Sequence, residues 1–220
     1  MRAAFAVLFD MDGVLLDSER AVLAVWQGLG AELGLAEVGE VFRRCIGTNK
    51  ARTGEIFRSA YPGLDFARFD GEARRRFRAR YGGGRLPLKP GAAEILAALR
   101  EREVPLALAS STERAVVRQE LDEAGLLTFF DALVCGDEVT RSKPDPEIFL
   151  RAAAKLDMAP RRCFVVEDSF NGVRAAAAAG MRPLMVPDMV PPDEEMERLA
   201  EGIFPDLAAA GRYLTGALDD

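Results

Sequence analysis

With 220 residues, 49% of them hydrophobic, the chain is long enough to bury a sizeable core, either as one large domain or as a domain carrying an insertion. A formal charge of −6 argues against nucleic acid or an anionic membrane surface as a partner, and no apolar run reaches the length that spans a bilayer. Histidine is absent, which excludes Ser-His and Cys-His catalytic arrangements and leaves carboxylates to move protons near neutral pH.

In chain order, the apolar run Ala4 to Phe9 predicts a strand buried on both faces, ending in Asp10 and Asp12 with Gly13 to turn the backbone. Val22, Val25, Trp26, Leu29 and Leu33 then recur at helical spacing over Ala21 to Leu33, stopped by Gly34. Further helices are expected over Val38 to Cys45, Arg52 to Ala60 and Phe66 to Tyr81, with no strand between them. In the last of these, Phe66, Phe69, Ala73, Phe77 and Tyr81 mark a buried face, and the arginines from Arg74 to Arg80 are expected on a solvated one. Residues 17–87 thus read as an all-helical insertion, closed by Gly82, Gly83 and Gly84, in a core made of residues 1–16 and 88–220.

From Pro90 onward helices and strands alternate, as in crossovers of a parallel sheet. A helix through Ala92, Ile95, Leu96 and Leu99 leads to a strand over Val104 to Ala109, whose following hydroxyls, Ser110, Ser111 and Thr112, are expected to cap the next helix. Strands over Ala132 to Cys135 and Cys163 to Val166 follow, the second ending in Glu167 and Asp168. Between them Lys143 precedes Pro144, Asp145 and Pro146, where Asp145 can cap a helix. Ser169 or Asn171 starts an alanine-rich helix ending at Gly180, and Pro183 to Val186 is read as the last strand, before two helices near Glu194 to Ala200 and Leu207 to Leu218. Cys45, Cys135 and Cys163 are odd in number, far apart and amid apolar residues, which suits reduced core thiols. With no leader-like segment at the start, the expected compartment is the cytoplasm.

Strand tips in this arrangement bring Asp10, Asp12, Ser110, Lys143, Glu167 and Asp168 to one edge of the sheet, where open α/β sheets bind ligands. Carboxylates crowded there are tolerable with a cation among them, and oxygen ligands without His or thiolate suit Mg²⁺. A lysine and a hydroxyl in the same mouth can neutralise and orient a phosphoryl group.

These residues, in the order Asp10-Met-Asp-Gly-Val-Leu-Leu-Asp-Ser-Glu, Ser110, Lys143 in Ser-Lys-Pro-Asp-Pro, and Glu167-Asp168-Ser-Phe-Asn-Gly, resemble the motifs of the haloacid dehalogenase-like superfamily. The resemblance covers essentially the whole chain, and the helical insertion is similar to the cap of the branch that includes β-phosphoglucomutase and phosphoglycolate phosphatase. It implies a Rossmann-like α/β core with strand order 3-2-1-4-5 and an α-helical cap, and a Mg²⁺-dependent phosphatase acting on a small phosphorylated metabolite. By the same resemblance Asp10 is the nucleophile that forms an aspartyl-phosphate, and Asp12 is the general acid and base. Ser110 and Lys143 hold the phosphoryl oxygens. The metal is held by Asp10, Asp12 and Asp168, with Glu167 either a ligand or a partner of one.

Specificity is assigned to the loop containing Thr48, Asn49 and Lys50, where Lys50 suits a distal anionic group. A phosphomutase of the β-phosphoglucomutase type is the alternative, and the mutases this chain resembles carry a cap histidine near the place of Val22, where no histidine stands. A catalytically idle binding or regulatory protein on the same fold is an alternative of another class. A signalling receiver shares the acidic cluster but is about half this length and lacks a cap. The expected state is a monomer or a weak homo-oligomer.

Overall fold

A computed structural model describes residues 4–48 and 50–218. Its centre is β1 (Ala6–Phe9), buried throughout, flanked by β2 (Leu106–Ser110) and β4 (Cys163–Glu167). With β3 (Ala132–Cys135), β5 (Arg182–Met185) and β6 (Gly202–Ile203) these form a six-stranded sheet of order β3-β2-β1-β4-β5-β6, every pairing parallel. The pleat of β1 serves two cores: Val7 and Phe9 face one, Ala6 and Leu8 the other. The first core packs against α5 (Ala92–Glu101), α6 (Arg114–Glu123) and α10 (Leu207–Gly216), the second against α7 (Glu147–Lys155) and α8 (Phe170–Ala178). Such two-sided cover is what lets a parallel sheet bury runs this apolar.

Among the described residues, four helices lie between β1 and α5: α1 (Ser18–Leu33), α2 (Val38–Arg43), α3 (Lys50–Ala60) and α4 (Phe66–Tyr81). They have a core of their own around Trp26, whose ring meets Phe42, Phe57 and Phe69 edge-on at 5.4, 5.9 and 5.0 Å. The two strands that join this unit to the sheet are paired with each other. Asp17 N–H donates to the Pro87 carbonyl and Lys89 N–H to that of Leu15, both at 2.9 Å, around an antiparallel bridge from Leu16 to Leu88.

Several expectations change in detail. β6 follows Pro183 to Val186, so the sheet gains an edge strand too short to be read from two residues, Gly202 and Ile203. The helix expected from Ala21 begins at Ser18. Ser169, not Asn171, caps α8, accepting from Gly172 N–H at 3.1 Å. Among the described residues α9 (Glu194–Leu199) closes over β5 through Met196. All three cysteines are free and buried. No helix among the described residues is long and apolar enough to cross a membrane.

Candidate active site

The tip of β1 presents Asp10, only 7% exposed, and its neighbours complete a buried charge network. Lys143 Nζ donates to Asp10 Oδ1 at 2.5 Å, to Glu167 Oε1 at 2.6 Å and to the Ala109 carbonyl at 3.0 Å. Its three protons are thereby spent. Burial alone lowers the Lys143 pKa, but the Asp10 and Glu167 carboxylates outweigh that and raise it above the ordinary lysine value. Burial pushes the Asp10 carboxyl up to about 7, opposed by Lys143 and assisted by Glu167 and Asp12. A lysine with a shell of carboxylates is a charged clamp at neutral pH.

Asp12 is held differently. Ser18 Oγ donates to its Oδ1 at 2.5 Å, while Thr112 Oγ1 at 2.9 Å and Ser110 Oγ at 3.4 Å donate to Oδ2. Of the three hydroxyls expected to cap α6, those of Ser110 and Thr112 turn to Asp12 instead, and the N-cap of α6 is Glu113 with no side-chain bond. Thr112 went unassigned by motif reasoning, although a Ser-Ser-Thr run at a strand tip is the signal that could have pointed to it. Asp145, by contrast, does accept from Glu147 N–H at 3.0 Å at the start of α7.

Glu167 is fully engaged. Oε1 takes Lys143, and Oε2 accepts from the Asp168 and Ser169 N–H groups, each at 3.1 Å, and from Ser169 Oγ at 3.0 Å. Asp168 makes no such bonds, and its carboxyl is raised well above the usual range by burial first, then by Glu19, Glu167, Asp10 and Asp188. Gly13, at φ +80°, passes so close that a Cβ there would stand 2.4 Å from Asp168 Oδ2. Glu19 and Asp188 add two more buried carboxylates, each with one oxygen lacking a hydrogen-bond partner among the described residues. Orphaned carboxylate oxygens beside Asp168 are what a hard cation satisfies, so the donor set fits Mg²⁺. Asp188 was missed because it follows the strand tip by several residues, in a stretch read as a Pro-rich tail.

A cavity of about 320 Å³ opens from this mouth toward the four-helix unit. Val22, Trp26, Thr48, Lys50, Arg74 and Arg78 line it from that unit, and Glu120 of α6 from the sheet side. Lys50 and Arg74 share Asp70, at 3.4 and 3.0 Å from its Oδ2. Two arginines expected on a solvated face, Arg74 and Arg78, therefore border the cavity. Burial pushes the Glu120 carboxyl up to about 8, with Asp12 and Glu123 adding and Arg74 and Arg78 opposing. Thr48 Oγ1 donates to the Cys45 carbonyl at 2.7 Å and lies 3.0 Å from Thr53 Oγ1. Asn49 lies outside the described residues. Beside it Gly47, at φ +68°, packs on the sheet domain so closely that a Cβ would meet Ser169 Oγ at 2.8 Å.

A sequence profile of the haloacid dehalogenase-like hydrolases matches residues 6–180, a stretch that contains every strand-tip residue named so far except Asp188. The chain belongs to that family. Among its haloacid dehalogenase-like relatives, the phosphorylated carbohydrates phosphatase of Thermotoga maritima is 33% identical over 180 residues, covering 80% of this chain and 82% of its own. A family hydrolase from Deinococcus radiodurans, solved with phosphate and sodium, is 33% identical with a TM-score of 0.78, covering 98% of this chain and 97% of that one. A variant of CbbY from Rhodobacter sphaeroides, solved with xylulose 1,5-bisphosphate, is 28% identical with a TM-score of 0.78, covering 94% and 98%. Membership makes this chain an enzyme of the hydrolase class on the Rossmann-like fold described above.

Proposed function

We propose that the protein is a Mg²⁺-dependent phosphatase that hydrolyses a small phosphorylated metabolite, a phosphorylated carbohydrate being the class that its relatives' names favour. The observation that carries this reading is the pair of strand-tip carboxylates in two opposite settings: Asp10 gripped by Lys143, and Asp12 held by three hydroxyls. Asp10 attacks phosphorus in line and forms an aspartyl-phosphate. Asp12 protonates the leaving oxygen and then takes a proton from the attacking water, and the hydroxyls of Ser18 and Thr112 keep its carboxylate aimed. Ser110 orients the phosphoryl oxygens, and the charge of Lys143, fixed between Asp10 and Glu167, neutralises them. Asp10, the Asp12 carbonyl and Asp168 would hold the Mg²⁺, with Glu167 as the partner that positions Lys143 and Asp168 rather than a ligand, since both of its oxygens are engaged. When bound, the ion shields the charge that builds on the phosphoryl group.

Residues 17–87 act as a cap that closes on the mouth, with the paired strands at Leu16 and Leu88 as its base. Lys50, Thr48 and Asn49 belong to its specificity loop. Hydrolysis is favoured over phosphomutase chemistry because Val22 lines the cavity and the chain holds no histidine. A panel of sugar, polyol and bisphosphate esters assayed for Mg²⁺-dependent phosphate release tests the proposal. Wild-type turnover that chelator abolishes, with Asp10→Asn keeping less than about one part in a thousand, is the expected result. Conversion of β-glucose 1-phosphate to glucose 6-phosphate faster than phosphate release would overturn it in favour of the mutase.

A further inference from the structure

Three carboxylates from distant parts of the chain meet beside the mouth. Glu19 stands in the first turn of α1, Asp168 at the tip of β4 and Asp188 beyond the end of β5, and one carboxylate oxygen of each lies within 4.8 Å of the others. Glu19 is 8% exposed and the Asp188 side chain 1%. Asp188 Oδ1 accepts from Lys89 Nζ at 2.6 Å and pairs with the Arg20 guanidinium at 2.5 Å. Asp188 Oδ2 and Glu19 Oε2 have no hydrogen-bond partner among the described residues.

Leaving a buried carboxylate oxygen without a donor is expensive, so something must supply donors or charge there. With Asp10, Asp12 and Glu167 next to them, the carboxylates outnumber the cations that pair with them, Lys89, Arg20 and Lys143, two to one. One divalent ion at Asp10 and Asp168 removes most of that excess, and a second would reverse it. Mg²⁺ keeps several of its waters, each with protons to donate.

We infer that Glu19 and Asp188 accept hydrogen bonds from the water ligands of the ion held at Asp10 and Asp168, an inference that rests on the metal reading above. They are positioning residues, acting on the ion through its water. Glu19 opens α1, and Asp188 is tied to Arg20 and Lys89, which flank the two strands joining the helical unit to the sheet. The hydration shell of the ion is thereby linked to the base of that unit.

The test titrates metal-free protein with Mn²⁺ by electron paramagnetic resonance, with Mg²⁺ as competitor and no substrate present. Glu19→Gln and Asp188→Asn should each raise the Kd by about 10–100-fold, the usual effect of losing an outer-shell partner. Glu19→Gln should at the same time leave the metal-free Tm unchanged or raise it, because it removes an unpaired buried charge; a merely structural role would lower it. Glu113→Gln, which removes an exposed carboxylate at the same cavity, controls for net charge and should stay within about twofold. Kd values within twofold of wild type for both variants, or an equal loss in Glu113→Gln, overturn the inference alone. A wild-type protein that binds neither ion overturns it together with the metal reading.

Discussion

At the scale of single residues, the two aspartates two positions apart differ in what surrounds them. Asp12 depends on hydroxyl donors, of which Thr112 Oγ1 at 2.9 Å has no competing bond to a main-chain carbonyl among those described. Thr112→Val keeps the shape and removes the donor, so kcat should fall about tenfold to hundredfold with KM little changed, the loss expected for one hydrogen bond to a charged group. A change confined to KM would take Thr112 out of the positioning of Asp12. Lys143 is the opposite case, a cation whose removal leaves Asp10 and Glu167 buried and unpaired. In chelator, Lys143→Ala should destabilise the fold by about 3–5 kcal/mol, read from urea unfolding.

At the scale of elements, the helical unit stands on its own aromatic core and touches the catalytic edge through short segments. Trp26 is 4% exposed amid three aromatic rings, so Trp26→Ala should lower stability by about 3–5 kcal/mol and loosen α1 against α4. The loop at Gly47 sets how closely that unit approaches Ser169. For specificity, Lys50 and Arg74 share one acceptor, Asp70, and either can be drawn from it by an anionic substrate. Lys50→Ala should raise KM for the best substrate more than for a generic aryl phosphate, with kcat nearly unchanged. Equal effects on both would remove Lys50 from the specificity loop, and a larger effect of Arg74→Ala would move that role to α4.

For the molecule as a whole, the concentration of buried acid makes stability depend on pH and on metal together. The Asp10 carboxyl, raised to about 7 by burial, and that of Glu120, raised to about 8 by burial, bind protons more tightly in the folded state than unfolded. Their stabilising contribution is complete below the ordinary carboxylate pKa and is lost as pH rises through the folded values. Glu72 and Glu147, held down to about 2 by hydrogen bonds from Arg75 and Thr140 first, act in the opposite sense but finish doing so below the ordinary carboxylate pKa. Between about pH 5 and 8, then, Tm in chelator should fall as pH rises. Mg²⁺ in excess should flatten that slope, adding about 2.7 kcal/mol at a hundredfold excess over Kd. A metal-independent slope would place the ion away from Asp10.

The family motifs, the parallel core and the helical insertion were readable from the sequence because each rests on local facts: apolar runs of strand length, helical periodicity, and charged residues at the ends of those runs. Asp10, Asp12, Ser110, Lys143, Glu167 and Asp168 all stand immediately beside such a run or, for Lys143, in a compact Ser-Lys-Pro motif. The tertiary structure alone decided which of them touch. That Glu167 spends both oxygens, that Thr112 turns to Asp12 instead of capping α6, and that Arg74 and Arg78 border the cavity depend on distances across the fold, between residues up to a hundred positions apart. The two-residue β6 carries too few side chains to show a period. Asp188 looked like an ordinary loop acid, and Glu19, the last residue of the first motif, had no metal-related role in the sequence. Only folding places them 169 positions apart in sequence but side by side in space, and burial turns two unremarkable carboxylates into unsatisfied ones.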